Sequence, residues 1–343
     1  MVQVACHARR RGTRLALAGA VQRNTSKRET ERGRSARRPG EIPRAGWRDV
    51  LWRVKNEVAD DNLSMIAAGA AFFGLLALFP AVAAVVSLYG LFTDPVVVSQ
   101  HTATLAGFLP AEARTIIDEQ LQRVTSASND ALGIGAVIAV LLALWSAAKG
   151  VKSLMQALNV AYDERETRGF FRLNLTAVLL TLAILAVVGI ALAGIAVLPA
   201  LLERLPLPDF AAAALRWLRW PLLAGVAVAA IAVIYRYGPA RRPAQWRWVV
   251  GGAAVSTVLW LIGSALFSWY VGSFGSYNET YGSVAAVAVL MMWFWISALV
   301  VLLGGEINAE MERQTREDTT RGEPRPLGQR QAYAADTVGP SRH

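Results

Sequence analysis

The stretch from Ser64 to Thr93, SMIAAGAAFFGLLALFPAVAAVVSLYGLFT, runs thirty positions without an Asp, Glu, Lys or Arg. An α-helix needs about 20 apolar residues to cross the ~30 Å hydrocarbon core of a bilayer. Further charge-free runs occupy 131–148, 173–202, 220–235, 248–278 and 283–305. In hydrocarbon every backbone N–H and C=O has to be paired within the segment, so such runs are helices rather than strands. The sequence predicts an all-α polytopic membrane protein, a bundle of six transmembrane helices. Its spans fall at about 64–93, 131–150, 174–199, 218–237, 249–271 and 283–304.

An apolar share of 54% with only 17% charged residues excludes an ordinary soluble domain. Lys and Arg alternate in density between successive loops, 30 in one set of regions against 5 in the other. Basic residues accumulate on the cytoplasmic side, so the split places both termini on the cytoplasmic face of the bacterial inner membrane. Aromatic residues mark the span ends, with Trp217 and Trp220 before the fourth, Tyr235 and Tyr237 closing it, and Trp246 and Trp248 opening the fifth. Gly238-Pro239 ends the fourth helix, since proline cannot continue the ladder and glycine tolerates a reversed backbone.

Three segments divide the chain: a disordered basic cytoplasmic tail over 1–45, a six-helix membrane domain over 46–312, and a disordered cytoplasmic tail over 313–343. The apolar stretch 15–21 is short for a signal peptide and is followed by more basic residues. The N-terminal arginines suit anionic inner-leaflet lipid, whereas nucleic acid is not expected, because no aromatics are interleaved for stacking. Amphipathic interfacial helices are expected at 47–58, where Trp47, Val50, Leu51, Val54 and Val58 share a face, and after Pro110 in the first outer loop. A third stripe, Val151, Leu154, Met155 and Leu158, prolongs the second span to Tyr162.

Enzyme chemistry finds no foothold. Cys6 is the one cysteine, and His7, His101 and His343 lie apart, so neither a disulfide nor a metal or cofactor centre is expected. No nucleophile–base pair or phosphate-cradling glycine loop is visible.

Residues 47–312 resemble the bacterial YihY/BrkB membrane proteins. The resemblance rests on Asp60-Asp61-Asn62-Leu63-Ser64 running to Leu78-Phe79-Pro80, on Leu144-Trp145-Ser146 with Asn159 and Tyr162, and on Tyr235-Arg236-Tyr237-Gly238-Pro239 with Trp246-Arg247-Trp248. It ends with Tyr277-Asn278, Tyr281-Gly282-Ser283 and Gly304-Gly305-Glu306-Ile307-Asn308. The serine the family often carries two residues before the Phe-Pro is Ala77 here. The resemblance implies the fold and a membrane location. For activity it implies only the labels members have carried: ribonuclease BN, since moved to an unrelated soluble enzyme, virulence-associated serum-resistance factor, and suspected transporter.

Six polar or helix-breaking residues stand out as candidates. Glu306, at the C-terminal end of the sixth span, opposes the helix macrodipole and calls for a partner; Arg236 fits as an ion pair, with a coupling carboxylate as the alternative. Pro80 is a packing kink or a break lining a substrate path. Tyr277 and Tyr281 belong to a tight outer hairpin or an entry lip, and Asn159 caps or hydrogen-bonds the extension of the second span. The expected function is that of a transporter or permease-like protein for a lipid, envelope precursor or small solute. A non-transporting envelope-assembly or resistance protein is the second reading, and a membrane-bound ribonuclease the least favoured.

Overall fold

A computed structural model describes residues 29–92, 134–204, 208–273 and 277–342. The charge-free runs are helices, and most outrun their expected limits. After a 3-10 turn, Pro39–Glu41, come α1 (Arg44–Asp60), α2 (Leu63–Phe92), α3 (Ile134–Ala161), α4 (Phe170–Arg204), α5 (Asp209–Tyr237), α6 (Trp246–Ser273), α7 (Tyr277–Glu312) and a short α8 (Tyr333–Asp336). Four segments are long and apolar enough to cross a membrane: Phe170–Ala191, Trp217–Tyr237, Trp246–Gly272 and Val287–Glu312. The pair Arg44–Asp60 and Leu63–Leu78, bent by 64°, adds a fifth if taken as one broken span. Helices α2 and α3 are 30 and 28 residues long, about 40 Å or more at 1.5 Å per residue, which is the length further crossings need.

Neighbouring helices follow chain order. Helix α2 packs on α3, α3 on α4, α4 on α5, α5 on α6 and α6 on α7, and α7 returns to α2, closing a ring, while also touching α1 and α3. Flanks that face away from the ring keep Phe72, Leu142, Leu179 and Leu266 exposed, as befits helices whose solvent is lipid. The buried core lies instead at the end where the two terminal segments gather. It joins Leu63 and Ala67 of α2, Leu158 of α3, Tyr235 of α5, Val249 and Ala253 of α6 and Leu302 of α7.

Close approach of α6 and α7 fixes that end. A Cβ on Gly304 would collide with the Ser256 hydroxyl and the Tyr235 hydroxyl, and one on Gly252 with the Gly304 carbonyl. The space so kept carries polar links: Tyr235 donates to the Val301 carbonyl at 2.6 Å, and the Gly252 N–H reaches Asn308 Oδ1 at 2.8 Å. Farther along, Trp260 donates to Ser297 at 3.0 Å and Trp293 to Ser264 at 3.3 Å.

Several expectations are corrected. The apolar stripe of α1 turns partly inward: Val50 and Val54 are buried with Ala36, Ile42, Trp248, Ile307 and Met311, while Leu51 is 56% exposed. Trp248 is therefore a core residue, while Trp246 stays 46% exposed. Gly238 ends α5 as expected but keeps φ −65°, and glycine is required there because a Cβ would meet the Ile234 carbonyl at 2.5 Å. The 277–283 hairpin is helical, so Tyr277 and Tyr281 sit in the first turns of α7. Helix α2 runs unbroken through Pro80. The helix expected after Pro110, and residues 1–28 of the basic tail, lie outside the described residues.

The largest correction concerns the tails. Residues 29–45 and 313–342 are ordered, and Gln314, Thr315, Thr319, Thr320, Arg330 and Ala334 are buried. Low apolar content argued for disorder, but here arginines satisfy backbone carbonyls in place of a hydrophobic core. Arg330 donates to the carbonyls of Glu317 (3.0 Å), Ala335 (2.6 Å), Arg316 (2.7 Å) and Arg325 (3.0 Å). Arg34 reaches the carbonyls of Arg313, Gln314 and Gly339. Ala244 and Thr320 form an antiparallel bridge that ties the segment to the α5–α6 loop.

Arg330→Ala strands several buried carbonyls, each worth about 1–3 kcal/mol when left unpaired. Limited proteolysis is expected to cut R330A within residues 313–342 far faster than the wild type, while Arg325→Ala, whose side chain is exposed, leaves the rate unchanged.

Candidate functional site

Two turns assemble the site. Asn62 takes a left-handed φ of 52° at the bend between α1 and α2, and Asp163 takes 54° just past α3; Asn and Asp tolerate this region because their short polar side chains bond locally. The first turn delivers Asp61 to the side of α7, the second delivers Asp163. Glu57 of α1 and Glu306 and Glu310 of α7 complete a group of five carboxyls.

Two arginines serve this group, and neither serves all of it. Arg53, 2% exposed, binds Glu310 and spends its other donors on the carbonyl of Glu310 (3.0 Å), Gln314 Oε1 (2.9 Å) and the Pro340 carbonyl (2.9 Å). Arg313 binds Glu57 at 2.9 Å and Glu310 at 2.5 Å and approaches Asp163 at 4.0 Å. Asp61 and Glu306 have no cation among the described residues. The Glu306 carboxyl lies beside that of Asp61, and its oxygen Oε1 is buried without a partner. Burial, followed by the charges of Asp163 and Glu57, pushes the Asp61 carboxyl up to about 6. Asp163 is raised by burial and by Glu57, with Arg313 opposing.

The expected Arg236–Glu306 pair is not formed. Arg236 donates to the Ala244 carbonyl and lies against the rings of Trp246 (4.5 Å) and Tyr237 (5.5 Å). The reason is directional: Glu306 sits on the face of α7 turned to α2, and Arg236 turns to the α5–α6 loop. Asn159 is a loop fastener, accepting from the Ala240 N–H at 2.7 Å and donating to Glu166 at 3.0 Å. Arg168 holds that Glu166 carboxyl at about 2, chiefly by hydrogen bonding. Side chains of Pro80, Tyr277 and Tyr281 lie outside the described residues, and their backbones are remote in sequence from the carboxyl group.

A second buried centre was not anticipated. Arg241 and Glu312 pair at 2.6 Å, with 2% and 0% of their side chains exposed. The Thr319 hydroxyl also donates to Glu312, and Arg241 stacks on Tyr162 at 5.1 Å. Burial raises the Tyr162 hydroxyl above its ordinary value. Asp61 stood in the sequence beside a bend residue at the start of a span, which was the available signal. The roles of Asp163, Arg53 and Arg313 had no local signal, since each meets its partners only through the fold.

The chain matches the family described as virulence factor BrkB over residues 54–327. It is 33% identical over 261 residues to YfkH of Bacillus subtilis (strain 168), whose name marks it as ribonuclease-like, covering 72% of this chain and 89% of that protein. UPF0761 membrane proteins of Mannheimia succiniciproducens and Pseudoalteromonas translucida are each 25% identical, over 73% and 77% of this chain and 84% and 86% of their own lengths. No solved structure gives a significant match.

Arg236→Gln is expected to cost about 2–3 kcal/mol as a buried guanidinium loses its carbonyl and its stack. In a double-mutant cycle with Glu306→Gln the losses add to within about 0.5 kcal/mol, read from thermal melts in detergent. For Asp61, the folded value of about 6 exceeds the ordinary 3.8, so the folded state binds more protons in that window and stability falls as pH rises through it. Asp61→Asn is expected to flatten that slope.

Proposed function

The chain belongs to the BrkB family of membrane proteins, and from that premise we propose that it is a permease-like protein of the bacterial inner membrane that moves a lipid, an envelope precursor or another small solute. In this reading α2 to α7 are six crossings, both termini are cytoplasmic, and basic residues within 1–28 meet anionic inner-leaflet lipid. The 30-to-5 division of Lys and Arg supports that orientation, and the closed ring of α2 to α7 supports the count.

One observation carries the proposal. Glu306, 2% exposed, lies beside Asp61 with no cation paired to either among the described residues. Ionisable groups inside membrane domains are costly and mark pathways and relays when they are retained. A bundle that served only as scaffold would be more stable with apolar residues at these positions.

The second reading is a non-transporting envelope or resistance protein. The word virulence in the family's description favours it. The ribonuclease word in the name of the Bacillus relative stays with that protein; among the described residues no three Asp, Glu, His or Cys side chains converge as a metal site.

The test uses the full chain in vesicles of phosphatidylethanolamine and phosphatidylglycerol, with fluorescent-tailed phosphatidylglycerol as probe and dithionite bleaching as readout. Transfer between leaflets is expected to exceed that in empty vesicles at least tenfold and to fall to background in Glu306→Gln, whose melting temperature stays within about 2 °C of the wild type. Transfer equal to empty vesicles, from protein that also carries no bound small molecule in native mass spectrometry, would favour the second reading.

A further inference from the structure

We propose that Asp61 and Glu306 form a proton-binding site that joins the bend between α1 and α2 to the end of α7, one proton being held between the two carboxyl groups. The inference deepens the permease reading, on whose site it rests, by naming the ion. It follows first from juxtaposition: Glu306, 2% exposed, lies beside Asp61 with no cation paired to either among the described residues, and two adjacent carboxyl groups so placed cannot both stay ionised. It follows second from the Oε1 of Glu306, which is buried with no hydrogen-bond partner among the described residues.

The surroundings favour a proton over a larger cation. From α1 the pair meets Glu57 and Asp60, from the turn after α3 Asp163, and from α7 itself Glu310. The cations within the group, Arg53 and Arg313, are engaged by Glu310 and Glu57, and the Tyr162 ring lies against Gly305, next to Glu306. Among the described residues no three His, Cys, Asp or Glu side chains converge as a metal site.

Release of the proton has a mechanical consequence. Two carboxylates would then face each other among four further acids, and like charges so placed cannot both stay ionised. The pair has to part. The yielding point is Asn62, whose left-handed backbone links two helices already bent by 64°. Protonation thus joins the start of α2 to α7, and deprotonation frees it.

The experiment needs no transport. Infrared difference spectra of the full-length protein in detergent, taken between about pH 5 and pH 8, report protonated carboxyl groups directly. The wild type is expected to show a carboxylic C=O band that bleaches as pH rises. Glu306→Gln is expected to lose that band, Asp61→Asn to shift its frequency and midpoint, and exposed Glu317→Gln to leave it unchanged. The amide introduced by Glu306→Gln can still donate to Asp61, so the fold should survive. If that variant fails to elute as a single species, Asp61→Asn carries the same test. Spectra of both variants identical to the wild type would overturn the proposal, as would displacement of the band by sodium at fixed pH. Vesicle transfer that fails while the band behaves as described would sink the permease reading and leave the proton site standing.

Discussion

The last two turns of α7 hold this end of the molecule together through a two-residue alternation of polar side chains. Residues 306, 308, 310 and 312 are Glu, Asn, Glu and Glu. At about 100° per residue, positions four apart share a face and positions two apart point nearly oppositely. Glu306 and Glu310 therefore look toward α1 and α2, where Asp61 and Arg53 wait. Asn308 and Glu312 look toward α6 and the α5–α6 loop, where Asn308 takes the Gly252 N–H and donates to the Val249 carbonyl, and Glu312 takes Arg241. One helix end serves as a hub with two polar faces, and the glycines at 252 and 304 let the α6 backbone come near enough to use one of them.

The terminal segments complete the hub. Arg34, Arg330 and Arg53 act less as charges on a surface than as multidentate donors to carbonyl groups, the role for which a planar guanidinium with five N–H groups is suited. Asp336 works in the opposite sense, accepting from the backbone N–H of Gly328 and Arg330, and Asp318 accepts from Thr320 and Arg325. A segment with few large apolar residues can be fixed in this way because its backbone groups find partners within the fold.

This division explains what was legible in advance. Helices were legible because hydrocarbon dictates them: the charge-free run at 64–93 is α2, and the stripe of Val151, Leu154, Met155 and Leu158 continues α3 as read, with Met155 and Leu158 fully buried. Glu306 was legible as an oddity, a carboxylate at the wrong end of a helix dipole. Its partner was not. Arg236 lay at an equivalent depth in sequence, but depth does not specify azimuth, and the azimuth of Glu306 is set by its turn on α7. Tail order was illegible for a different reason. Composition measures apolar area, whereas residues 313–342 are held by directed bonds between residues far apart in sequence, such as Gln314 to the Arg32 carbonyl at 2.7 Å and Arg342 N–H to Asp49 at 2.9 Å.

The tail and the carboxyl pair are one arrangement rather than two. Arg53 is the guanidinium on α1 nearest in role to a counter-ion for the acid group, and the tail pins it: Pro340 and Gln314 occupy its donors, and a Cβ on Gly339 would crowd its Nε and Cζ at 2.5 and 2.7 Å. Arg313 belongs to the tail's first turn, and its own carbonyl is tied to the Gly339 N–H at 2.9 Å and to Arg34. Both cations are thereby fixed on Glu310 and Glu57. A buried ion pair broken at one partner costs about 3–5 kcal/mol, so neither arginine leaves its carboxylate to neutralise Asp61 or Glu306. The seating of residues 313–342 is what leaves the pair without a cation, and the contact between the two carboxyl groups is the solution left to them.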